Sequence, residues 1–344
     1  MEAEQALAGE GPREPVGIRD RAKFRKRVVF GLLAAVLAIA FVTLGGPWLL
    51  ALLLVLAWFS CREYFELVEA KGYRPATRLA TVSALAIMVL TDQTGTRYHG
   101  MFVAVSIILC FFALIMRGAP WYRQMPRLEL PEAPEDRADM ASIADVATTA
   151  LGILYCGWMP SFILMLRKFD PGARDLEDVL GPGVLIEALQ GYPHGLWITL
   201  MFFAVVIGSD SGGFFFGKFL GRHPLIGPLS PRKTIEGAMG GIFTAVLGAL
   251  GIAALARVWP GGPTAENLAD PLCIALFAVV VAITAQVSDL SESLLKRDVG
   301  RRDAAELIPG HGGMLDRVDG YLLSGAVAFW FVLFFWPLMV GAVR

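Results

Sequence analysis

Nine stretches of this chain are apolar over about the length that a helix needs to cross a bilayer, at roughly 27–45, 47–66, 79–92, 99–116, 143–166, 195–217, 238–256, 271–290 and 321–342. Inside hydrocarbon every backbone N–H and C=O must be paired by the chain itself, which a helix of about 20 residues achieves and an irregular segment does not. The expected fold is therefore all-α: a polytopic integral membrane protein with about nine transmembrane helices, the third being the shortest. Only 18% of the 344 residues are charged, against about 25% in ordinary soluble chains, and 56% are hydrophobic. A water-soluble globular enzyme is excluded. The 30 Lys and Arg balance 31 Asp and Glu, so no basic excess points to a nucleic-acid partner.

Orientation follows from where the basic residues fall, because Lys and Arg resist translocation. With a cytoplasmic N-terminus, the tail to Arg27 holds seven, and successive inner loops hold four, four, four and five, so that 24 lie inside and 6 outside. Dropping an early span would destroy that asymmetry. The polar segment before the first run is too long for a signal peptide, and no small-residue cleavage site precedes the second run. The chain reads as a basic cytoplasmic tail (1–26), about five N-terminal transmembrane helices (27–194) and a C-terminal catalytic transmembrane region with cytoplasmic motif loops (195–344). Cys61, Cys110, Cys156 and Cys273 are scattered through apolar runs without metal-site spacing and read as small buried hydrophobes.

Polar residues concentrate in two cytoplasmic regions. The first runs from Ser209-Asp210-Ser211-Gly212-Gly213 through Lys218 to Ser230-Pro231-Arg232-Lys233-Thr234-Ile235-Glu236-Gly237. The second runs from Ser288-Asp289 through Lys296-Arg297 and Arg302-Asp303 to Pro309-Gly310-His311-Gly312-Gly313-Met314-Leu315-Asp316-Arg317-Val318-Asp319. Asp210 and Asp289 each follow a long uncharged run, where a carboxylate is costly unless something offsets it. Asp210 serves either a metal or substrate site or an interhelical hydrogen bond. Asp316 and Asp319 share a helix face if the last span begins early, and two like charges there call for a cation. Asp289, Asp316 and Asp319 are thus the candidate ligands of a hard divalent ion such as Mg2+, with room for a second cation. The basic residues beside them are suited to phosphate oxygens, and the combination is the equipment of phosphoryl or nucleotidyl transfer.

The second region resembles the pattern of the phosphatidate cytidylyltransferases, or CDP-diacylglycerol synthases. It matches over 27 consecutive positions, Ser293 to Asp319, with Arg302 where the pattern has Lys. Ser230 to Gly237 is similar to a second element of that family, with Arg and Ile substituted. The resemblance implies transfer of the cytidylyl group of CTP to phosphatidic acid at the cytoplasmic face of the inner membrane, giving CDP-diacylglycerol and pyrophosphate for phospholipid synthesis. It implies catalytic roles for Asp289, Lys296, Arg297, His311, Asp316 and Asp319. Asp210, Lys218, Ser230, Arg232, Lys233, Thr234, Glu236, Arg302, Asp303, Gly312, Gly313 and Arg317 are then the candidates for substrate binding. The implied partners are CTP, phosphatidic acid and membrane lipid, and a homodimer is compatible with them. Two alternatives are a CTP-dependent lipid kinase of the polyprenol or phytol type and, from a different class, an ion-coupled transporter. The transporter is disfavoured because the polar residues gather on one membrane face and no internal repeat is visible.

Overall fold

The computed structural model describes residues 36–117, 141–169, 193–227, 229–259, 270–300 and 313–341. The chain divides into two units, 1–41 and 42–344; in the first, the described residues 36–41 are helical. The second contains α1 (Gly46–Ala70), α2 (Thr77–Thr94), α3 (His99–Met116), α4 (Ile143–Ile153), a π-helical turn (Leu154–Trp158), α5 (Met159–Arg167), α6 (Pro193–Leu220), β1 (Pro224–Ile226), β2 (Ser230–Thr234), α7 (Ile235–Val258), α8 (Pro271–Asp298) and α9 (Leu315–Gly341). Of the expected site residues, Arg302, Asp303, His311 and Gly312 lie outside the described residues, as does the basic tail.

Among the described residues, seven helical stretches are long and apolar enough to cross a membrane, with α4, the π turn and α5 acting as one. The protein is an all-α polytopic membrane protein. The span expected at 79–92 is a helix of 18 residues, α2, but Arg78 and its Thr, Ser, Asp and Gln residues leave it outside those seven. The span expected at 27–45 falls largely outside the described residues.

Local chemistry explains the helix starts. Ser142 and Asp145 form a reciprocal capping box at α4. Asp270 accepts from Leu272 N–H, with Pro271 opening α8. The Thr234 hydroxyl accepts from Gly237 N–H at 3.1 Å to start α7.

Contacts between helix ends sort the bundle into two poles. At one, Lys71 after α1 pairs with Asp298 at the end of α8, and Arg117 after α3 donates to the Arg74 carbonyl before α2. At the other, Lys168 after α5 pairs with Asp92 at the end of α2 at 2.7 Å, and Trp197 in α6 meets Trp259 after α7. Successive helices therefore run in alternating directions.

The tightest packing joins α6 to α7. Buried Gly237, Gly241, Ala245, Ala249 and Ala253 recur every four residues along α7, which places one row of small residues against its neighbour. A Cβ on Gly212 would stand 2.7 Å from the Gly240 carbonyl oxygen and closer still to the Thr244 hydroxyl, so α6 approaches at backbone distance. The freed polar groups are used: Thr244 donates to the Gly208 carbonyl across the interface at 2.7 Å. On α8 the buried row Ile274, Phe277, Val281, Ala285 continues one turn at a time into Ser288 and Glu292. The same face that packs the hydrophobic core thus carries polar groups at its end.

Between α6 and α7 the chain forms an antiparallel two-stranded hairpin, with Pro224 opposite Thr234, Ile226 opposite Ser230 and an irregularity between them. The all-α expectation contains no strand here. The strands are three and five residues long and each contains a proline, so neither carries an alternating pattern.

Candidate active site

α8 and α9 run antiparallel, and Ser288 joins them: its hydroxyl donates to the Asp319 carbonyl and accepts from Leu323 N–H. Asp289 and Glu292 are three residues apart and share a face of α8. Opposite them stands Asp319 of α9. One carboxylate oxygen from each of Asp289, Glu292 and Asp319 lies within 4.8 Å of the other two. Glu292 is fully buried, and the other two are half-buried.

One turn along, Lys296 reaches Glu292 Oε2 and Asp316 Oδ1, both at 2.5 Å. The second oxygen of Asp316 accepts from Gly313 N–H at 2.9 Å. Lys233, at the end of β2, pairs with Asp289. Asp210 of α6 closes the group: its carboxylate lies 4.0 Å from the place of a Cβ on Gly320, next to Asp319, and is within electrostatic reach of Asp289 and Lys233. Gln286 holds the neighbouring helices in place, donating to Ser209 of α6 and the Ala238 carbonyl of α7.

The expected ligand set, Asp289, Asp316 and Asp319, is therefore arranged differently in detail. Asp289 and Asp319 come together with Glu292, while Asp316 sits a turn away on Lys296. α9 begins at Leu315, six residues before the span expected at 321, and this early start puts Asp316 and Asp319 on one face. Glu292 was absent from the sequence candidates, although its spacing from Asp289 is the same three residues that singled out Asp316 and Asp319. A second unanticipated carboxylate, Glu63 of α1, accepts from Met314 N–H and Leu315 N–H at 2.7 and 2.6 Å.

The remaining candidates divide by what they touch. Arg297 donates to the Leu229 carbonyl in the hairpin turn. Glu236 accepts from the backbone N–H groups of Arg222 and His223 and meets His223 Nδ1 at 2.5 Å, so it fastens the exit of α6 to the start of α7. Thr234 is the cap of α7 and Ser230 opens β2. Lys218 lies over the rings of Phe214 and Phe219. Arg232 and Arg317 are exposed, and Gly313 is buried against the Glu63 carboxylate.

Five carboxylates, Asp210, Asp289, Glu292, Asp316 and Asp319, thus face two ammonium groups, Lys233 and Lys296, among the described residues. Only Glu292 of the five is fully buried and Asp210 is exposed, but like charges gathered this closely repel unless a counter-ion joins them. The all-oxygen trio of Asp289, Glu292 and Asp319 fits a hard divalent cation.

Residues 25–335 match the Cytidylyltransferase family. The chain is 31% identical over 320 residues to a protein of Synechocystis sp. named phosphatidate cytidylyltransferase, covering 91% of this chain and 98% of that one. It is 32% identical over 332 residues to phosphatidate cytidylyltransferase 5, chloroplastic, of Arabidopsis thaliana, covering 91% of this chain and 73% of that one. A Mycobacterium bovis protein of the same name is 40% identical over a shorter stretch of 141 residues, 41% of this chain and 42% of that one. With the match running through nearly all of the described bundle, the chain belongs to the Cytidylyltransferase family.

Proposed function

We propose that this protein transfers the cytidylyl group of CTP to phosphatidic acid, releasing pyrophosphate and forming CDP-diacylglycerol for phospholipid synthesis. The carboxylate group between α8 and α9, with Lys233 and Lys296 set into it, is the observation that carries the reaction; the family and the names of its relatives supply the substrates. A phosphate oxygen of the lipid attacks the α-phosphorus of CTP and pyrophosphate departs, so no covalent intermediate with a side chain is required. Asp289, Glu292 and Asp319 would hold Mg2+, which when bound neutralises phosphate charge and aligns attacking and leaving oxygens.

The chain's own contribution is placement. Lys233 reaches from the end of β2 to Asp289, so the hairpin contributes a positive charge to the carboxylate group. Lys296 is held by Glu292 and Asp316, so its charge is fixed beside the trio and spends no reorganisation when a phosphate enters. Ser288 and Gln286 lock α8 against three neighbours. All of these groups sit at one end of the alternating helices, where a lipid headgroup and a water-borne nucleotide can meet while the acyl chains stay in the leaflet. The 24 to 6 distribution of basic residues supports assigning that end to the cytoplasmic face of the inner membrane.

The test is purified protein in detergent with Mg2+ and CTP labelled at the α- or, separately, the γ-phosphate, supplied with either phosphatidic acid or a long-chain isoprenoid alcohol. A labelled CDP-lipid with pyrophosphate is the expected result. CDP with a lipid monophosphate would instead make the chain a lipid kinase, and no labelled lipid would reject both.

A further inference from the structure

Glu63 lies in the last third of α1 and is fully buried. Its partners are backbone amides of a helix some 250 positions away: both of its oxygens accept, one from Met314 N–H at 2.7 Å and one from Leu315 N–H at 2.6 Å. The first amides of a helix have no carbonyl of their own helix to bond, and the positive end of the helix dipole favours a carboxylate there. Such a cap is ordinarily provided by the residue that opens the helix; for α9 it comes from α1.

Gly313 completes the arrangement. A Cβ at that position would stand 2.4 Å from Glu63 Oε2, and its three nearest atoms would all belong to the Glu63 carboxyl group. The N–H of Gly313 donates to Asp316, Asp316 holds Lys296, and Lys296 holds Glu292 of the carboxylate trio. A continuous set of contacts therefore runs from α1 to the α8–α9 carboxylates.

We propose that Glu63 is a positioning residue of the transfer site: by capping α9 it sets where that helix starts, and so where Asp316 and Asp319 stand against Lys296, Glu292 and Asp289. For the reaction, the proposal rests on the cytidylyl-transfer reading above. It gives the N-terminal helices a share in the site that none of the motif loops contains.

The experiment compares full-length wild type with Glu63→Gln, Glu63→Asp, Gly313→Ala, Glu63→Ala and the double variant Glu63→Ala/Gly313→Ala, all purified in detergent. Three quantities are read: Mn2+ binding without substrates, kcat and KM for CDP-lipid formation, and melting temperature. Glu63→Gln is expected to weaken Mn2+ binding at least fivefold and to lower kcat at least tenfold in the fraction that is folded, with partial recovery in Glu63→Asp. Gly313→Ala should produce the same pair of changes, because its methyl group displaces the carboxylate. Adding Gly313→Ala to Glu63→Ala should cost nothing more, since the clashing partner is gone. Should Glu63→Gln fail to fold, Gly313→Ala, which keeps the carboxylate, decides in its place.

Mn2+ affinity and kcat within twofold of wild type, with only a lower melting temperature, would reduce Glu63 to a structural cap and overturn the proposal. Full additivity of Glu63→Ala and Gly313→Ala would do the same. A wild-type chain that binds Mn2+ but makes no CDP-lipid would reject the reaction and leave the Mn2+ comparison to decide on Glu63. Product formation by a wild type without measurable Mn2+ binding would remove the role given to Glu63.

Discussion

A fully buried carboxylate is tolerated only where positive charge or hydrogen-bond donors stand against it, and at Glu292 that requirement falls on Lys296 alone among the described ion pairs. Lys296 divides its charge between Glu292 and Asp316, which leaves the trio short of positive charge. Glu292→Gln keeps the side-chain shape and removes one negative charge. Its expected effect is a fall in turnover of about a hundredfold or more, with a raised Mg2+ requirement, at an unchanged or higher melting temperature because a like-charge repulsion is gone. A lower melting temperature with normal Mg2+ dependence would make Glu292 merely the partner of Lys296. Asp289 and Asp316 separate in the same way. Both Asp→Asn changes should nearly abolish turnover, but Asp289→Asn should raise the Mg2+ needed for half-maximal rate more than Asp316→Asn, because Asp316 acts through Lys296. Titration of the residual rate with Mg2+ settles the order, and the reverse order would put Asp316 back among the ligands.

At the scale of elements, the sequence motifs marked two regions that the fold brings together, but not the means by which helices hold them. The spacing of Asp316 and Asp319 already implies a shared face, and the concentration of polar residues marks both regions before the family pattern is matched to them. Glu292 has that same spacing from Asp289, but the pair lies among serines, outside the glycine-rich motif that gives weight to Asp316 and Asp319. Glu63 could not be found by any local pattern, since it binds backbone amides of a distant helix and backbone amides leave no residue-type signature. Gly212 of α6 admits the backbone of α7 at close range, a fit that no local pattern specifies. That assignment has a direct check. Gly212→Ala places a methyl group on the Thr244 hydroxyl and the Gly240 carbonyl, so α6 and α7 must part, at a cost of about 1–3 kcal/mol for overpacking. The expected outcome is a drop of several degrees in melting temperature with an unchanged Mg2+ requirement per folded molecule. Gly251→Ala, where a Cβ meets nothing within 4 Å, should melt as wild type does. Equal melting of the two variants would contradict the close contact of α6 and α7.

For the whole molecule, the legible quantity was the alternation of spans, because apolar length and the placement of Lys and Arg are summed over many residues and survive local errors. Helix ends were less legible: α8 continues to Asp298, beyond its apolar run, as a polar helix carrying Lys296 and Arg297. Two poles follow from the contacts, and in the proposed orientation the pole bearing the carboxylates faces the cytoplasm. Cysteine labelling tests both statements together. The four native cysteines are buried, so a single new cysteine at an exposed position reports its own side of the membrane. Arg232→Cys lies on the hairpin beside the site, and Arg97→Cys on the connection between α2 and α3, at the pole of the Lys168–Asp92 pair. In intact cells a membrane-impermeant maleimide should modify Arg97→Cys and spare Arg232→Cys, and permeabilisation should expose the second. Labelling of both in intact cells would break the alternation of the helices. Labelling of Arg232→Cys alone would preserve the bundle but invert it, turning the carboxylates away from the compartment that supplies CTP and removing the reaction proposed for them.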